Sequence, residues 1–120
     1  MNSLVIIPTY NERENIEPLC RQIFQIDPHI EILVVDDQSP DGTGTWVEML
    51  RGKYQKLHLL SRPKKQGLGR AYIAGFQWGL SRKYDVFFEM DADFSHRPVD
   101  LQKLVSEISS PSVDFVIGSR

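Results

Sequence analysis

The stretch IEILVVDDQSPDG, residues 30–42, joins six mostly apolar residues to a run of acids, a proline and a glycine. An apolar run of this length that ends in turn-forming residues is typical of a buried strand. Trp46, Met49 and Leu50 follow it at the spacing of one helix face. The stretch therefore predicts a strand that ends in polar groups and is followed by a helix.

Short apolar runs alternate with longer segments of helical periodicity along the whole chain. The other predicted strands are LVIIP (residues 4–8), LHLL (57–60), VFFEM (86–90) and FVIG (115–118). Apolar residues at helical spacing predict further helices over residues 16–24, 68–80 and 101–108. This alternation predicts an α/β fold in which helices cover a parallel sheet.

Two local features of the predicted helices carry structural expectations. Proline is tolerated in the first turn of a helix, so we expect the first helix to begin close to Pro18. Gly75 and Gly79 are four residues apart, and we expect them to permit close packing of their helix against the sheet.

The composition is that of one globular domain, because 120 residues with 41% hydrophobic content suffice for a core. We expect neither a membrane span nor a signal peptide, since the apolar runs are short and no basic N-terminal segment precedes one. Cys20, the single cysteine, lies among apolar residues at helical spacing and is expected in the core. These features predict a cytoplasmic domain without redox chemistry.

The basic residues are unevenly distributed, because residues 51–70 contain seven of the fourteen and no acid. This segment can attract phosphates or form a solvated surface. Nucleic acid is disfavoured as a partner, since carboxylate clusters elsewhere in the chain would repel a polyanion.

Polar residues follow nearly every predicted strand. The segments at the strand ends are PTYNE (residues 8–12), DDQSPDG (36–42), DADFSH (91–96) and GSR (118–120). Ligands of open parallel sheets bind beyond the carboxyl ends of the strands. The convergence of these polar segments at the carboxyl ends of the strands predicts a polar binding site at that edge of the sheet.

Asp91 and Asp93 are two residues apart, so in an extended chain their carboxylates point the same way and can share one hard cation. Mg²⁺ or Mn²⁺ fits best, because such ions combine one or two carboxylates with phosphate oxygens of a substrate. The alternative is a solvated turn whose aspartates cap the helix at Pro98. His96 is equally compatible with metal binding, capping or phosphate contact.

Asp36 and Asp37 are sequential and should face opposite ways. One can face the site, and the other can bind backbone amides of the turn at residues 39–42. Tyr10 offers a ring on which a base can stack, and Glu12 offers an acceptor for a ribose hydroxyl or a base. A half-buried Tyr10 and a helix-capping Glu12 are the structural alternatives.

Three families share single motifs with the chain. LVVDDQS resembles response-regulator receivers, but their acidic pair follows the first strand rather than the second. DADFS resembles aspartyl-phosphate phosphatases, whose motif usually opens the domain and leaves PTYNE unexplained. GLGRAY resembles part of a dinucleotide fingerprint, but Tyr72 replaces its third glycine.

Five motifs together match one family. They are PTYNERENI (residues 8–16), VVDDQSPDGT (34–43), KKQGLGRAY (64–72), MDADFSHRP (90–98) and GSR (118–120). With them the chain resembles, over essentially its whole length, the dolichol-phosphate (polyprenyl-phosphate) mannosyltransferases, which are inverting glycosyltransferases of family 2. The resemblance implies the GT-A fold, a Rossmann-like, mostly parallel sheet with helices on both faces. It also implies that residues 1–120 are a single nucleotide-sugar-binding portion of that domain, truncated at the C-terminus.

The resemblance implies an enzyme that moves mannose from GDP-mannose to a polyprenyl (dolichyl) phosphate and depends on Mg²⁺ or Mn²⁺. The residues that would hold the guanosine are Pro8, Tyr10, Glu12, Val35 and Asp37. Asp91 and Asp93 would bind the metal and the diphosphate, with the backbone of Ala92 close by. Arg120, the third catalytic residue beside these aspartates, would meet the sugar diphosphate or the acceptor phosphate. Ser95 stands where a relative supplies a third ligand through glutamine, so it is the weakest ligand candidate.

The expected chemistry follows from the acceptor. A lipid phosphate monoester has a second pKa of about 6, so it is largely ionised at neutral pH and needs no strong general base to attack the anomeric carbon. In-line attack would turn α-linked mannose into a β-linked lipid phosphate. Lys64, Lys65 and Arg70 would steer the anionic lipid head or the membrane surface, so we expect the protein at the cytoplasmic face of a membrane.

Two other functions stay open. A family 2 glycosyltransferase that uses UDP-glucose or another sugar nucleotide would need the same paired aspartates, because they do not read the sugar. A Mg²⁺-binding, receiver-like signalling module is the remote alternative. Since family members extend well beyond the GSR motif, we expect residues 1–120 alone to bind nucleotide weakly at best and to be catalytically inactive.

Overall fold

Strands and helices alternate along the chain, as predicted. The computed structural model describes residues 2–11, 13–63 and 67–90. The strands are β1 (Ser3–Thr9), β2 (Glu31–Asp36), β3 (Leu57–Ser61) and β4 (Val86–Glu89), and the helices are α1 (Arg13–Ile26), α2 (Thr43–Leu50) and α3 (Leu68–Leu80). The helix predicted at 101–108 and the strand predicted at 115–118 lie outside the described residues. In the described part, every helix is too short or too polar to span a bilayer.

The four described strands form one parallel sheet in the order β3-β2-β1-β4. β1 lies between β2 and β4, and its residues Leu4, Val5, Ile6 and Ile7 are fully buried. A nearly continuous apolar run of this kind is typical of a strand covered on both faces. The parallel sheet expected from the sequence is confirmed.

Helices cover both faces of this sheet. α1 and α2 pack on one face, and α3 packs on the other. Cys20 of α1 is fully buried in the first of these layers, as predicted. Its burial raises the pKa of the thiol to about 12, so the thiol stays protonated at neutral pH.

α1 begins earlier than Pro18 led us to expect. The helix starts at Arg13, so Pro18 is its sixth residue and lies in the second turn rather than the first. Proline lacks the N–H that would bond the carbonyl of Glu14, but Glu14 is exposed, and water can hydrate that carbonyl. Burial of Ile16, Leu19 and other apolar residues against the sheet outweighs the lost hydrogen bond.

The predicted apolar stripe of α2 is wrong at Met49, which is 67% exposed. Val47 is fully buried in its place, and Thr43 and Leu50 are the other buried residues of the helix. These three positions follow the i, i+4, i+7 spacing of one face. Trp46 is only partly buried, at the border of the same core.

α3 has the predicted bounds and lies very close to the sheet. A Cβ at Gly75 would come within 2.6 Å of Cγ2 of Ile6, and a Cβ at Gly79 would overlap the ring of Phe87 and come within 2.9 Å of Cδ2 of Leu4. Real Cβ atoms do not approach other atoms so closely. The two glycines therefore set the distance between α3 and the strands, as predicted.

Candidate functional site

Residues far apart in sequence meet at the carboxyl edge of the sheet. Thr9 at the end of β1 is paired with Asp36 at the end of β2, and Asp36 is paired in turn with Ser61 at the end of β3. On the other side of β1, the N–H of Met90 donates to the carbonyl oxygen of Ile6 at 3.1 Å. The DADFSH motif begins with the residue after Met90 in the sequence.

Asp36 lies on the face of the sheet that α2 covers, and its carboxylate is bound to the turn that follows β2. The hydroxyls of Thr9 and Ser39 donate to Oδ1 of Asp36 at 2.8 and 2.5 Å, and the N–H of Ser39 donates to Oδ2 at 3.2 Å. A Cβ at Gly44 would lie 2.8 Å from Oδ2, so glycine is needed there for α2 to approach. Asp36 is therefore the aspartate that binds the turn, as expected for one of the two.

Hydrogen bonds fasten the loop after β1 to the turn after β2. The N–H of Asn11 donates to Oγ of Ser39 at 2.9 Å, the N–H of Asp41 donates to Oδ1 of Asn11 at 3.3 Å, and the N–H of Arg13 donates to Oδ2 of Asp41 at 3.2 Å. Asn11 has φ of 59°, a left-handed conformation that asparagine tolerates better than most residues. We call these contacts the loop clasp. They hold the two motif-bearing loops in one arrangement.

The carboxylate of Asp41 is the centre of the loop clasp. Partial desolvation opposes ionisation, but hydrogen bonds from Thr43 and from the N–H of Arg13 outweigh it and lower the pKa of Asp41. The N–H of Thr43, the first residue of α2, donates to Oδ1 of Asp41 at 3.0 Å. The Asp41 side chain thus binds both the chain that follows β1, through Arg13, and the first N–H of α2, through Thr43.

Asp37 lies next to Asp36 but faces the side of the sheet that α3 covers. Its carboxylate Oδ1 lies 3.4 Å from Nε of Arg62, and the two residues are 6% and 8% exposed. The backbone fixes both partners, because the N–H of Asp37 donates to the carbonyl of Thr9 at 3.4 Å and the N–H of Arg62 donates to the carbonyl of Asp36 at 2.8 Å. The prediction that the two aspartates face opposite ways is confirmed.

A groove borders this ion pair on the side of α3. It has a volume of about 480 Å³ and is lined by Arg62, Arg70, Ile73, Ala74 and Gln77. Sequence reasoning placed Arg62 only in the basic segment 51–70 and did not connect it to Asp37. Arg62 comes directly after the apolar strand β3. Polar residues at the ends of the other strands were predicted as site residues from that position, and the same criterion would have identified Arg62.

The structure describes four of the five predicted guanosine-binding residues, and these four differ in exposure. Pro8 and Val35 are paired in register within the sheet and are buried, Val35 completely. Both residues lie within the sheet, directly before the strand ends that form the carboxyl edge. Tyr10, which follows β1 directly, is 38% exposed and can present its ring to a ligand. Asp37 retains only slight exposure.

The predicted metal ligands and diphosphate contacts are not among the residues that the structure describes. Those residues are Asp91, Ala92, Asp93, Ser95 and Arg120, and Glu12, predicted to bind the guanosine, also lies outside the described residues. Within residues 2–11, 13–63 and 67–90, no group of three or more His, Cys, Asp or Glu side chains could hold a metal ion. The predicted donors are carboxylate and hydroxyl oxygens, a set that suits Mg²⁺ or Mn²⁺ rather than zinc.

Comparison with known proteins finds similarity over nearly the whole chain. Residues 4–120 match the family model described as glycosyl transferase family 2. The chain is 49% identical over 120 residues to an undecaprenyl-phosphate mannosyltransferase of Micrococcus luteus, covering 100% of this chain and 49% of that protein. It is also 49% identical over 119 residues to a polyprenol monophosphomannose synthase of Mycolicibacterium smegmatis, covering 98% of this chain and 44% of that protein. The chain therefore spans about half the length of these curated relatives.

A solved structure is similar over nearly all of the chain. It is a mannosyltransferase from Pyrobaculum calidifontis in complex with GDP-Man and Mn²⁺, with a TM-score of 0.75 and 27% sequence identity. The alignment covers 93% of this chain and 33% of that one. The similarity in fold extends to a protein that holds both a sugar nucleotide and a divalent metal.

Proposed function

Because the chain belongs to glycosyl transferase family 2 and has the nucleotide-binding architecture of the GT-A fold, we propose that it acts in the metal-dependent transfer of mannose from GDP-mannose to a polyprenyl phosphate. The observation that carries the proposal is the carboxyl edge of the sheet. There the loops after β1 and β2 are fastened together, beside the point where the DADFSH segment follows β4 in the sequence. This is where open parallel sheets bind nucleotides.

The guanosine would bind across the ends of β1 and β2. The ring of Tyr10 would stack on the base, and Glu12 would accept a hydrogen bond from the ribose or the base. Asp37 would accept hydrogen bonds from the base, since the carboxylate of Asp36 is already bound to Thr9 and Ser39. The loop clasp would keep the two binding loops together without a ligand, which reduces the entropy lost on binding.

The diphosphate would lie beyond β4, where Asp91 and Asp93 would hold Mg²⁺ or Mn²⁺ together with phosphate oxygens. The backbone of Ala92 would lie close by, and the hydroxyl of Ser95 is a further candidate donor. When bound, the ion would neutralise negative charge on the leaving diphosphate. Arg120 would add a positive charge beside the sugar diphosphate or the acceptor phosphate.

The acceptor phosphate would attack the anomeric carbon of mannose. Its ionised oxygen forms the new bond to carbon, while the bond to the diphosphate breaks and GDP leaves with the electron pair. Attack opposite the leaving group inverts the configuration, so α-linked mannose becomes a β-linked lipid phosphate. No strong general base is required, because the acceptor oxygen is already ionised at neutral pH.

The lipid acceptor implies contact with a membrane surface, which we propose to be its cytoplasmic face. Arg70 is exposed near the start of α3, and Lys64 and Lys65 precede it in the same acid-free segment. Basic residues of this kind attract anionic lipid headgroups, each by roughly 1 kcal/mol near the surface.

A donor and acceptor panel tests the proposal. The full-length protein would be incubated with GDP-mannose or UDP-glucose, with Mn²⁺ or Mg²⁺, and with polyprenyl phosphate, and the lipid product would be identified by mass spectrometry. We expect mannosyl lipid phosphate only with GDP-mannose and a divalent metal. Transfer from UDP-glucose alone would show a different donor, and labelling of an aspartate by acetyl phosphate would favour the signalling alternative.

A further inference from the structure

Helix α3 carries two large apolar side chains on its outer surface. Ile73 is 56% exposed and Leu80 is 64% exposed. They are seven residues apart, so they lie on one face of the helix, about 10 Å from each other along its axis. Arg70 and Gln77 are exposed on the same face. We call this row of four residues (Arg70, Ile73, Gln77 and Leu80) the α3 stripe.

The outer surface of α1 is different, although α1 covers the same sheet. The exposed residues of α1 are all polar, and they are Arg13, Glu14, Arg21, Gln22 and Gln25. A polar outer surface is expected for a helix with one face on the core and the other in water. Single apolar residues on a surface need no explanation, but an aligned pair on an otherwise amphipathic helix indicates a binding partner that is partly apolar.

Basic residues stand at both ends of the α3 stripe. Arg70 lies at its start, and Arg82 and Lys83 follow Leu80 and are exposed. The sequence contains no Asp or Glu from residue 49 to residue 84, so the acid-free segment includes the whole of α3. Apolar side chains between cations are complementary to a bilayer with anionic headgroups, which offers an apolar layer beneath a negatively charged one.

The two basic residues at the end of α3 have unusual settings. Lys83 has φ of 65°, a left-handed conformation in which helices often end with glycine, because a Cβ is unfavourable there. The guanidinium of Arg82 lies 4.0 Å from the centre of the Trp78 ring and donates to the Trp78 carbonyl oxygen at 3.0 Å. Ring and carbonyl are uncharged, so they hold the guanidinium in place without neutralising it. A lysine at a position that favours glycine indicates that its charge has a function.

We propose that the α3 stripe docks on an anionic membrane surface, with Ile73 and Leu80 inserted at the level of the headgroups. The basic residues at its two ends bind lipid phosphates. The choice of a membrane rather than a protein partner rests on the proposed function, because a polyprenyl phosphate is itself embedded in a bilayer. Arg70 lines the same groove as Arg62, which follows β3 at the carboxyl edge. Docking of the α3 stripe therefore brings that edge beside the headgroup layer, where the acceptor phosphate lies.

A depth measurement tests which face of the protein meets the lipid. In the full-length protein, Ile73→Cys and Leu80→Cys would carry a fluorophore, and Met49→Cys is the matched control. Met49 is 67% exposed on α2, which covers the opposite face of the sheet, and Cys20 is buried and would not take the label. The vesicles contain phosphatidylglycerol, phosphatidylcholine and a quencher-bearing lipid, without polyprenyl phosphate. Emission should fall by about half or more at residues 73 and 80, because the apolar face of a docked helix lies about 5–10 Å inside the headgroup boundary, and should stay unchanged at residue 49.

Affinity for the same vesicles measures what each part of the surface contributes. The double variant Ile73→Gln, Leu80→Gln should bind about tenfold more weakly or worse, because two apolar side chains lose their contact with lipid. Lys83→Gly should weaken binding by about fivefold, the effect of one charge near an anionic surface. The same variant should raise the urea midpoint, because glycine adopts φ of 65° without strain. Met49→Gln, which removes an exposed apolar side chain on the opposite face, should keep the wild-type affinity.

The outcomes separate this inference from the proposed function. Unchanged emission at residues 73 and 80, or wild-type affinity in the double variant, would overturn the docking surface. A label at residue 80 that is shielded from a water-soluble quencher before vesicles are added would also overturn it, because protein then covers the stripe. Equal affinity for vesicles of phosphatidylcholine alone would refute the role of the basic residues. The proposed function stands in each case if the wild type transfers mannose to polyprenyl phosphate in detergent, and failure of that transfer would overturn the proposed function.

Discussion

Substitution of Gly75 by alanine tests whether the contact between α3 and β1 is as tight as the structure indicates. The new Cβ would lie 2.6 Å from Cγ2 of Ile6 and 3.2 Å from its Cδ1. Ile6 is fully buried in a central strand, so it cannot move aside. Overpacking of this kind costs about 2–3 kcal/mol, whereas alanine gains about 1 kcal/mol over glycine in a helix. We expect a net loss of about 1–2 kcal/mol in the free energy of unfolding.

Urea unfolding measures this loss, and Gly69→Ala is the matched control. Gly69 lies in the same helix, but a Cβ there would meet nothing within 4 Å. Alanine at Gly69 should therefore raise stability by up to about 1 kcal/mol. With an m-value of about 2 kcal/mol/M, Gly75→Ala should lower the urea midpoint by about 0.5–1 M. An equal rise of the midpoint in both variants would refute the close contact.

A second substitution identifies the partner in this contact. Ile6→Ala should cost about 2–5 kcal/mol, because it leaves a cavity in the core. In the double variant with Gly75→Ala, the new Cβ occupies part of that cavity instead of clashing. The loss should then be smaller than the sum of the two single losses, and simple additivity would show that Gly75 does not pack on Ile6.

Three further predictions concern the carboxyl edge. Asp93→Ala should abolish Mn²⁺-dependent GDP binding in calorimetry, and wild-type affinity in this variant would refute the metal site. Asp36→Ala should lower the free energy of unfolding by about 2–3 kcal/mol in urea, because Thr9 and Ser39 lose a charged acceptor. Asp41 has a lowered pKa in the folded state, so its contribution to stability is present above its usual value of 3.8 and is lost as the pH falls towards the folded pKa. The stability difference between wild type and Asp41→Asn should therefore shrink below about pH 4 in acid unfolding curves, and a difference that grows there would contradict the loop clasp.

The helices and strands could be predicted from the sequence because the residue patterns that indicate them are local. A buried strand needs a short apolar run, and α3 has a periodic pattern between Gly67 and Ser81. The GT-A fold implied by the family resemblance is confirmed by the family match and by the similar solved structure. In α2 the local signal was ambiguous, because Trp46, Val47 and Met49 are all apolar and eight residues allow more than one stripe. Only packing against the sheet selects Val47.

The contacts that shape the candidate site could not be read from the sequence, because they join residues far apart in the chain. The loop clasp connects Asn11 with Ser39 and Asp41, and the ion pair connects Asp37 with Arg62. Each residue type is ordinary for a turn or a basic segment, so no single motif signals the partner. Such pairs become evident only once the strand order and register are known.

The different roles of Asp36 and Asp37 follow from the geometry of a strand. Consecutive side chains point to opposite faces, so two adjacent aspartates at a strand end necessarily meet different neighbours. On the face of α2, hydroxyls and N–H groups surround Asp36 and bind it to the protein itself. On the face of α3, the guanidinium of Arg62 lies 3.4 Å from the carboxylate of Asp37 and balances its charge. An acidic pair that looks redundant in the sequence thus supplies one carboxylate that binds the turn after β2 and a second that pairs with Arg62 on the opposite face of the sheet.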